Sequence, residues 1–126
     1  MKKIRLANEL AEAVANWGWK YHHAGIPTTL KMPDEKYIPH FKFYISGFGN
    51  SPFGIEWMRF EPDCPFPELI QTVPHIAFEV QNMESELANR DLNVIVPPNY
   101  SAQGIRVAMI EHNGAPIELI EFEKNK

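Results

Sequence analysis

The chain has 126 residues, a length typical of a single domain, and 44% of them are hydrophobic. Its net charge of −4 and its pI of about 5.7 exclude a nucleic-acid binder that relies on a basic surface. The single cysteine, Cys64, excludes an intrachain disulfide and is typical of a reducing compartment, so we expect a cytoplasmic protein. Since no apolar run approaches the roughly twenty residues that span a bilayer, we expect one soluble domain over 1–126 with no membrane partner.

The N-terminal segment, 1–19, has the pattern of an amphipathic helix. Apolar residues recur at helical spacing over 4–17, and charged residues occupy the opposite side. The pattern predicts a helix of about four turns that ends at Gly18 and covers one face of a sheet.

The first half, 20–61, has short alternating stretches that are typical of half-buried strands. Strands are predicted at 21–28, 41–46 and 55–60. Pro33 and Pro39 exclude a regular helix between the first two strands. This half is therefore predicted to be a strand-rich module without a helix.

The second half follows a proline-rich stretch, 62–74, that predicts an extended connector packed against the domain. Within 75–122 the pattern predicts a helix over 83–90 that is capped by Asn82, and a hairpin turn at Asn113-Gly114. Strands are predicted at 75–80, 92–96, 105–111 and 116–122, with a loop at 97–100.

The two halves repeat each other. The stretch GIEWMRF at 54–60 aligns with PIELIEF at 116–122, so that Ile, Glu and Phe recur in register. HAGI at 23–26 aligns with HIAF at 75–78, with a small residue two positions after each histidine. Each half therefore runs from a histidine on its first strand to a glutamate on its last, as internal duplication predicts.

The repeated polar residues form a candidate metal site. Strand alternation places His75 on the face opposite Ile76, and a carboxylate flanked by apolar residues, such as Glu118, must be paired, coordinated or solvated. Alone, each residue is more often structural. Together, two imidazoles and two carboxylates suit Zn, Ni, Co, Mn or Fe(II), and the expected ligands are His23, Glu56, His75 and Glu118.

Other polar residues are weaker candidates for the site. His22 competes with His23, but alternation places His22 with Ala24 and Ile26 on the packed face, which favours His23. Glu79 shares the face of His75 and is either a second acid or base or one partner of an edge salt bridge. Three further side chains could hold a substrate anion: Arg59, Arg106 and Tyr100.

These residues resemble those of the vicinal oxygen chelate superfamily, which includes glyoxalase I, methylmalonyl-CoA epimerase and the bleomycin-resistance proteins. The resemblance is greatest over 74–122. It implies an α+β fold of two βαβββ-type modules that form a curled mixed sheet around a cavity. Here the first module lacks its helix, and the extra N-terminal helix is expected to cover that face. The four candidate ligands fall on the family's metal-ligand positions.

The resemblance implies three possible functions. The first is a metal-dependent lyase, isomerase or epimerase, in which Glu118 or Glu56 removes a proton from a small oxygenated metabolite to give an enediolate. The second is a metal-free small-molecule binding protein of the bleomycin-resistance type. The third is a dimerisation module with a vestigial cavity, and a homodimer is expected in any case.

Overall fold

A computed structural model describes residues 4–124, and in it eight strands form one curled mixed sheet. The strands are β1 (Lys20–Pro27), β2 (Lys36–Ile38), β3 (Phe43–Ser46), β4 (Ile55–Phe60), β5 (His75–Glu79), β6 (Asn93–Ala102), β7 (Ile105–His112) and β8 (Ala115–Phe122). The helices are α1 (Glu12–Ala15), α2 (Glu68–Thr72) and α3 (Met83–Asn89), and Phe48–Asn50 forms a single 3₁₀ turn. No helix in the described part is long and apolar enough to cross a membrane.

The order of the strands confirms the two-module fold. Across the sheet the order is β2-β3-β4-β1-β5-β8-β7-β6, which reads as two equivalent sets of four on either side of the β1–β5 boundary. Within the sets, β1 pairs parallel with β4 and β5 pairs parallel with β8, whereas β1 and β5 are antiparallel to each other. The modules are therefore related by a pseudo-twofold axis between β1 and β5. As predicted, the first module has no α-helix.

The two faces of the sheet pack differently. On the outer face, α3 and the N-terminal segment cover a filled core of six buried residues: Trp19, Val80, Met83, Ala108, Ile110 and Leu119. The start of α3 is fixed by the predicted cap, because the Asn82 side chain accepts a hydrogen bond from the Ser85 N–H at 2.9 Å. On the inner face, a second apolar cluster that includes Met58, Ile70 and Met109 forms the wall of a cavity.

The predicted N-terminal helix over 4–17 is wrong, since only Glu12–Ala15 is helical. Residues Leu6 and Glu9 close a local turn in which the Glu9 carboxylate accepts from the Leu6 N–H at 2.6 Å. Leu6 is 69% exposed, and helical periodicity without a surface to cover gives little stability. Ala13 and Trp17 do pack, but against the outer core of the second module rather than the face that the missing helix leaves open. Residues 1–3 of the segment lie outside the described residues.

Three further elements differ from the sequence prediction. The strand β2 forms at Lys36–Ile38, where no strand is predicted. The connector contains α2, whose Ile70 is buried against the inner cluster, so it is not wholly extended. The loop predicted at 97–100 is the middle of β6, which continues through Pro97 and Pro98 with three register shifts. Prolines are tolerated there because β6 lies at the edge of the sheet, where a missing N–H removes no necessary ladder bond.

Candidate metal centre

Strand register brings the two halves of the site to equivalent places. Glu56 on β4 pairs with Gly25 on β1, and Glu118 on β8 pairs with Ala77 on β5. Gly25 and Ala77 each lie two positions after the histidine of their own module. Each glutamate therefore lies on the same face of the sheet as the histidine of its module. Across the pseudo-twofold axis His23 pairs with Ala77, and His75 pairs with Gly25. All four candidate side chains thus converge on the axis.

The distances between these side chains are short. Glu118 Oε1 lies 2.9 Å from His75 Nε2 and 3.5 Å from His23 Nε2. Glu56 Oε1 lies 3.6 Å from His23 Nε2. Both histidines are buried, at 3% and 2% exposed. The three residues His23, His75 and Glu118 have ligand atoms within 4.8 Å of one another, and Glu56 adjoins this set.

A glycine makes room for this arrangement. A Cβ at position 25 would lie 2.1 Å from Cε1 of His75, so the imidazole occupies the space that any side chain there would need. The equivalent residue in the second module, Ala77, carries a methyl group beneath His23 and is fully buried. At Gly25, the small residue that recurs in both repeats is therefore a packing requirement.

The donor set fits a divalent ion. His23 Nε2, His75 Nε2 and His75 Nδ1 are buried and have no hydrogen-bond partner among residues 4–124, and the 2.9 Å contact to Glu118 lacks the alignment of a hydrogen bond. Each unsatisfied buried group costs about 1–3 kcal/mol. Two ligands held about 2.1 Å from one ion lie about 3.0–3.4 Å apart. The observed separations of 2.9–3.6 Å are close to that range.

The pKa values of the two carboxyl groups are shifted in opposite directions. Burial raises the pKa of Glu118, but the adjacent His23 and His75 rings outweigh it and bring the pKa to about 2. For Glu56 burial is the dominant effect, and its pKa is raised. Burial lowers the pKa of His23, but the neighbouring Glu118 and Glu56 raise it above the ordinary value. Glu118 therefore loses its proton more readily than Glu56 does.

His22 also lies at the site, contrary to the prediction that it faces the packed side. The pairing of β1 with β5 shifts register between Tyr21 and His23, and this bulge turns both histidines to the cavity. His22 Nδ1 lies 2.8 Å from His23 Nδ1, and the His22 ring stacks on Phe48 at 5.0 Å. Simple alternation assumes an unbroken ladder, and the sequence alone carries no sign of the bulge.

The other sequence candidates lie elsewhere. Arg59 forms a bidentate ion pair with Glu35, and Arg106 contacts Glu84 at 2.6 Å. Tyr100 donates to Glu123, so neither arginine nor this tyrosine is held ready for a substrate anion in the cavity. Glu79, although on the strand of His75, is not among the described residues that line the cavity.

A cavity of about 360 Å³ opens above the four side chains. Its wall is apolar and comes from both modules, including Phe43, Met58, Val96 and Met109. A pocket of this kind, apolar with a few convergent polar groups, is the usual form of a small-molecule site.

Comparison with known proteins supports the fold. A scan against protein-family models found no match, and a search of curated proteins found none. Among solved structures, a hypothetical protein, BH1468 from Bacillus halodurans C-125, aligns with a TM-score of 0.65 and 21% identity over 86% of this chain and 97% of that one. Methylmalonyl-CoA epimerase from Mycobacterium tuberculosis aligns with a TM-score of 0.57 and 12% identity over 93% of this chain and 95% of that one. The chain therefore shares the curled mixed-sheet fold of these two proteins.

Proposed function

We propose that the protein is a divalent-metal-dependent enzyme that moves a proton at a carbon beside an oxygenated group of a small metabolite. It would act as an epimerase, an isomerase or a glyoxalase-type lyase. The observation that carries this proposal is the convergence of His23, His75, Glu118 and Glu56 at the floor of an apolar cavity. The fold shared with a methylmalonyl-CoA epimerase supports the same reaction class.

The residues divide into holding and proton-transfer roles. His23, His75 and Glu118 would hold the ion, because their ligand atoms cluster and the Glu118 carboxylate stays ionised. A divalent ion there would polarise a substrate oxygen and acidify the neighbouring C–H group. Glu56 is the proposed base that takes the proton. It adjoins the cluster, and its raised pKa brings it nearer to the working pH, where proton transfer is most effective.

Hydrogen exchange with solvent tests this proposal. Untagged protein loaded with Zn, Ni, Co, Mn or Fe(II) is incubated in D₂O with 2-oxo acids, 2-hydroxy acids and methylmalonyl-CoA. NMR then follows loss of the proton beside the oxygenated group. Glu56→Gln should stop the exchange while the protein still binds metal. Glu79→Gln is the matched control, because that carboxylate lies on β5, the strand of His75, but outside the cavity wall, and it should leave exchange unchanged.

A metal-free binding protein is the alternative that the same experiment would reveal. The mostly apolar wall of the cavity suits a sequestered ligand as well as a substrate. If the protein neither binds any of these ions nor catalyses exchange, the enzyme proposal fails and the binding function replaces it.

We also propose that two copies form a homodimer. Ile4 is 87% exposed and Leu10 is 66% exposed, and Ile76 on the outer face is 47% exposed. Closed twofold pairs are the commonest way to remove such surface from water. Light scattering at micromolar concentration should give twice the chain mass, and removal of residues 1–10 should weaken association. A monomer at that concentration would contradict the proposal.

A further inference from the structure

The cavity has a polar floor and an apolar wall. Along its length, away from the four floor residues, the wall is built mainly from aromatic, branched and methionine side chains, among them Phe41, Phe43, Phe66, Met58, Met109 and Val107. Most belong to the inner cluster or pack against it. Four polar side chains, those of His22, Lys36, Asn99 and Ser101, also line the described cavity outside the floor, so the contact offered to a ligand there is mainly hydrophobic.

The aromatic part of the wall is held rigid by its own packing. Phe41 stacks on Phe66 with ring centroids 4.4 Å apart, and Phe43 meets Phe66 edge-on at 5.4 Å. Phe43 also stacks on Phe60 at 5.5 Å. Such interlocked rings resist collapse into the open space. This packing favours a preformed apolar cavity.

Charge excludes a strongly anionic body in this part of the cavity. Of the described residues that line it, Lys36 alone is a permanent cation, and it lies exposed on the edge strand β2. Arg59 and Arg106 are held by Glu35 and Glu84. A phosphate or second carboxylate inside the wall would lose its hydration with too few partners to replace it.

We infer that the substrate is a small oxygenated molecule whose body is uncharged and apolar, either aromatic or branched aliphatic. This inference rests on the proposed function for the position of the oxygenated end, at the polar floor. The apolar body fills the phenylalanine- and methionine-lined wall. The volume of about 360 Å³ would hold about twelve waters, so it admits a body of similar atom count.

The test compares four 2-oxo acids that share one headgroup. Calorimetry measures their dissociation constants for untagged protein, with Zn and with EDTA. Pyruvate carries only a methyl group beyond the 2-oxo acid headgroup, and 2-oxoglutarate carries a charged side chain. The side chains of 4-methyl-2-oxopentanoate and phenylpyruvate are apolar. Burial of an apolar body should tighten binding by about 10- to 100-fold over the first two acids. Equal affinities, tighter binding of 2-oxoglutarate, or no binding of either apolar acid would overturn the inference.

A variant locates the effect in the cavity. Val107 lines the wall and lies outside the candidate metal set, so Val107→Phe should fill the space and abolish the preference for apolar bodies. Val94→Phe is the control, because Val94 lies 38% exposed on the neighbouring strand, outside the wall. Preference retained in V107F would overturn the inference, and the comparison among ligands of the wild-type protein decides it even if V107F misfolds.

Failure of the two proposals gives different results. If the apolar preference holds with EDTA and no ion binds, the metal-dependent function fails while the ligand class stands. If metal binds and solvent exchange occurs but pyruvate or 2-oxoglutarate is preferred, the ligand class fails while the function stands.

Discussion

The outer and inner faces of the sheet are both apolar, yet one is filled and the other is hollow. On the outer face Leu119 and Met83 are fully buried beneath α3 and the N-terminal segment. On the inner face the apolar side chains stand around open space, with two unsatisfied histidines at the floor. The same strands supply both faces by simple alternation. We therefore expect stability to come mainly from the outer face, whereas the unsatisfied groups of the inner face cost stability.

The largest effect should follow from a cavity made in the outer core. Leu119→Ala removes a fully buried side chain of the filled cluster and should lower the free energy of unfolding by about 2–5 kcal/mol. Urea denaturation measures the loss. Metal affinity should change little, because Leu119 points away from the site. A loss below about 1 kcal/mol would mean that the outer core is not the main source of stability.

Substitution of a small residue on the inner face should instead affect metal binding. Gly25→Ala places a methyl group where the His75 ring lies, so we expect metal affinity to fall by about 10- to 100-fold as that ligand is displaced. Competition with a fluorescent chelator measures the affinity. Ala77→Gly, at the equivalent position of the other module, is the matched control and should retain affinity. Equal effects of the two changes would show that His75 does not depend on the space above Gly25.

His22 should act on metal binding through His23. Of the two Nδ1 atoms, 2.8 Å apart, one must donate to the other. If His23 binds the ion through Nε2, its Nδ1–H donates to His22, which fixes the tautomer. His22→Phe retains a ring against Phe48 but removes the acceptor, and should weaken metal binding about tenfold. The exposed His112→Phe is the control, and an unchanged affinity in H22F would contradict this role.

The smallest expected effect is on how stability depends on pH, which should have opposite signs in the metal-free and the Zn-bound protein. Because the pKa of folded His23 lies above 6.5, the folded metal-free protein binds a proton there more tightly than the unfolded chain. Its stability should therefore fall as pH rises from 6.5 through the folded-state pKa. With Zn bound, stability should rise over the same interval, since the ion no longer competes with that proton. Urea denaturation with EDTA and with Zn measures both trends, and parallel trends would contradict the account.

The sequence predicted the features that depend on repetition and alternation. The module repeat, the four converging side chains and the cap at Asn82 follow from local patterns that the tertiary structure preserves. The bulge at His22 and the continuous β6 were missed, because both depend on how strands pair across the sheet. The predicted N-terminal helix is wrong because Leu6 and Leu10, in its first half, stay exposed, and only Ala13 and Trp17 near its end pack on the outer core.

The central claim is that His23, His75 and Glu118 hold one divalent ion. Elemental analysis of untagged protein, dialysed against Zn and then against buffer, tests it most directly. The account predicts one ion per chain in the wild type and a nearly empty site in Glu118→Gln, in which the shared carboxylate contact to His23 and His75 is lost. Glu79→Gln should keep its ion. A wild-type protein without metal, or an E118Q variant that retains as much as the wild type, would contradict the claim.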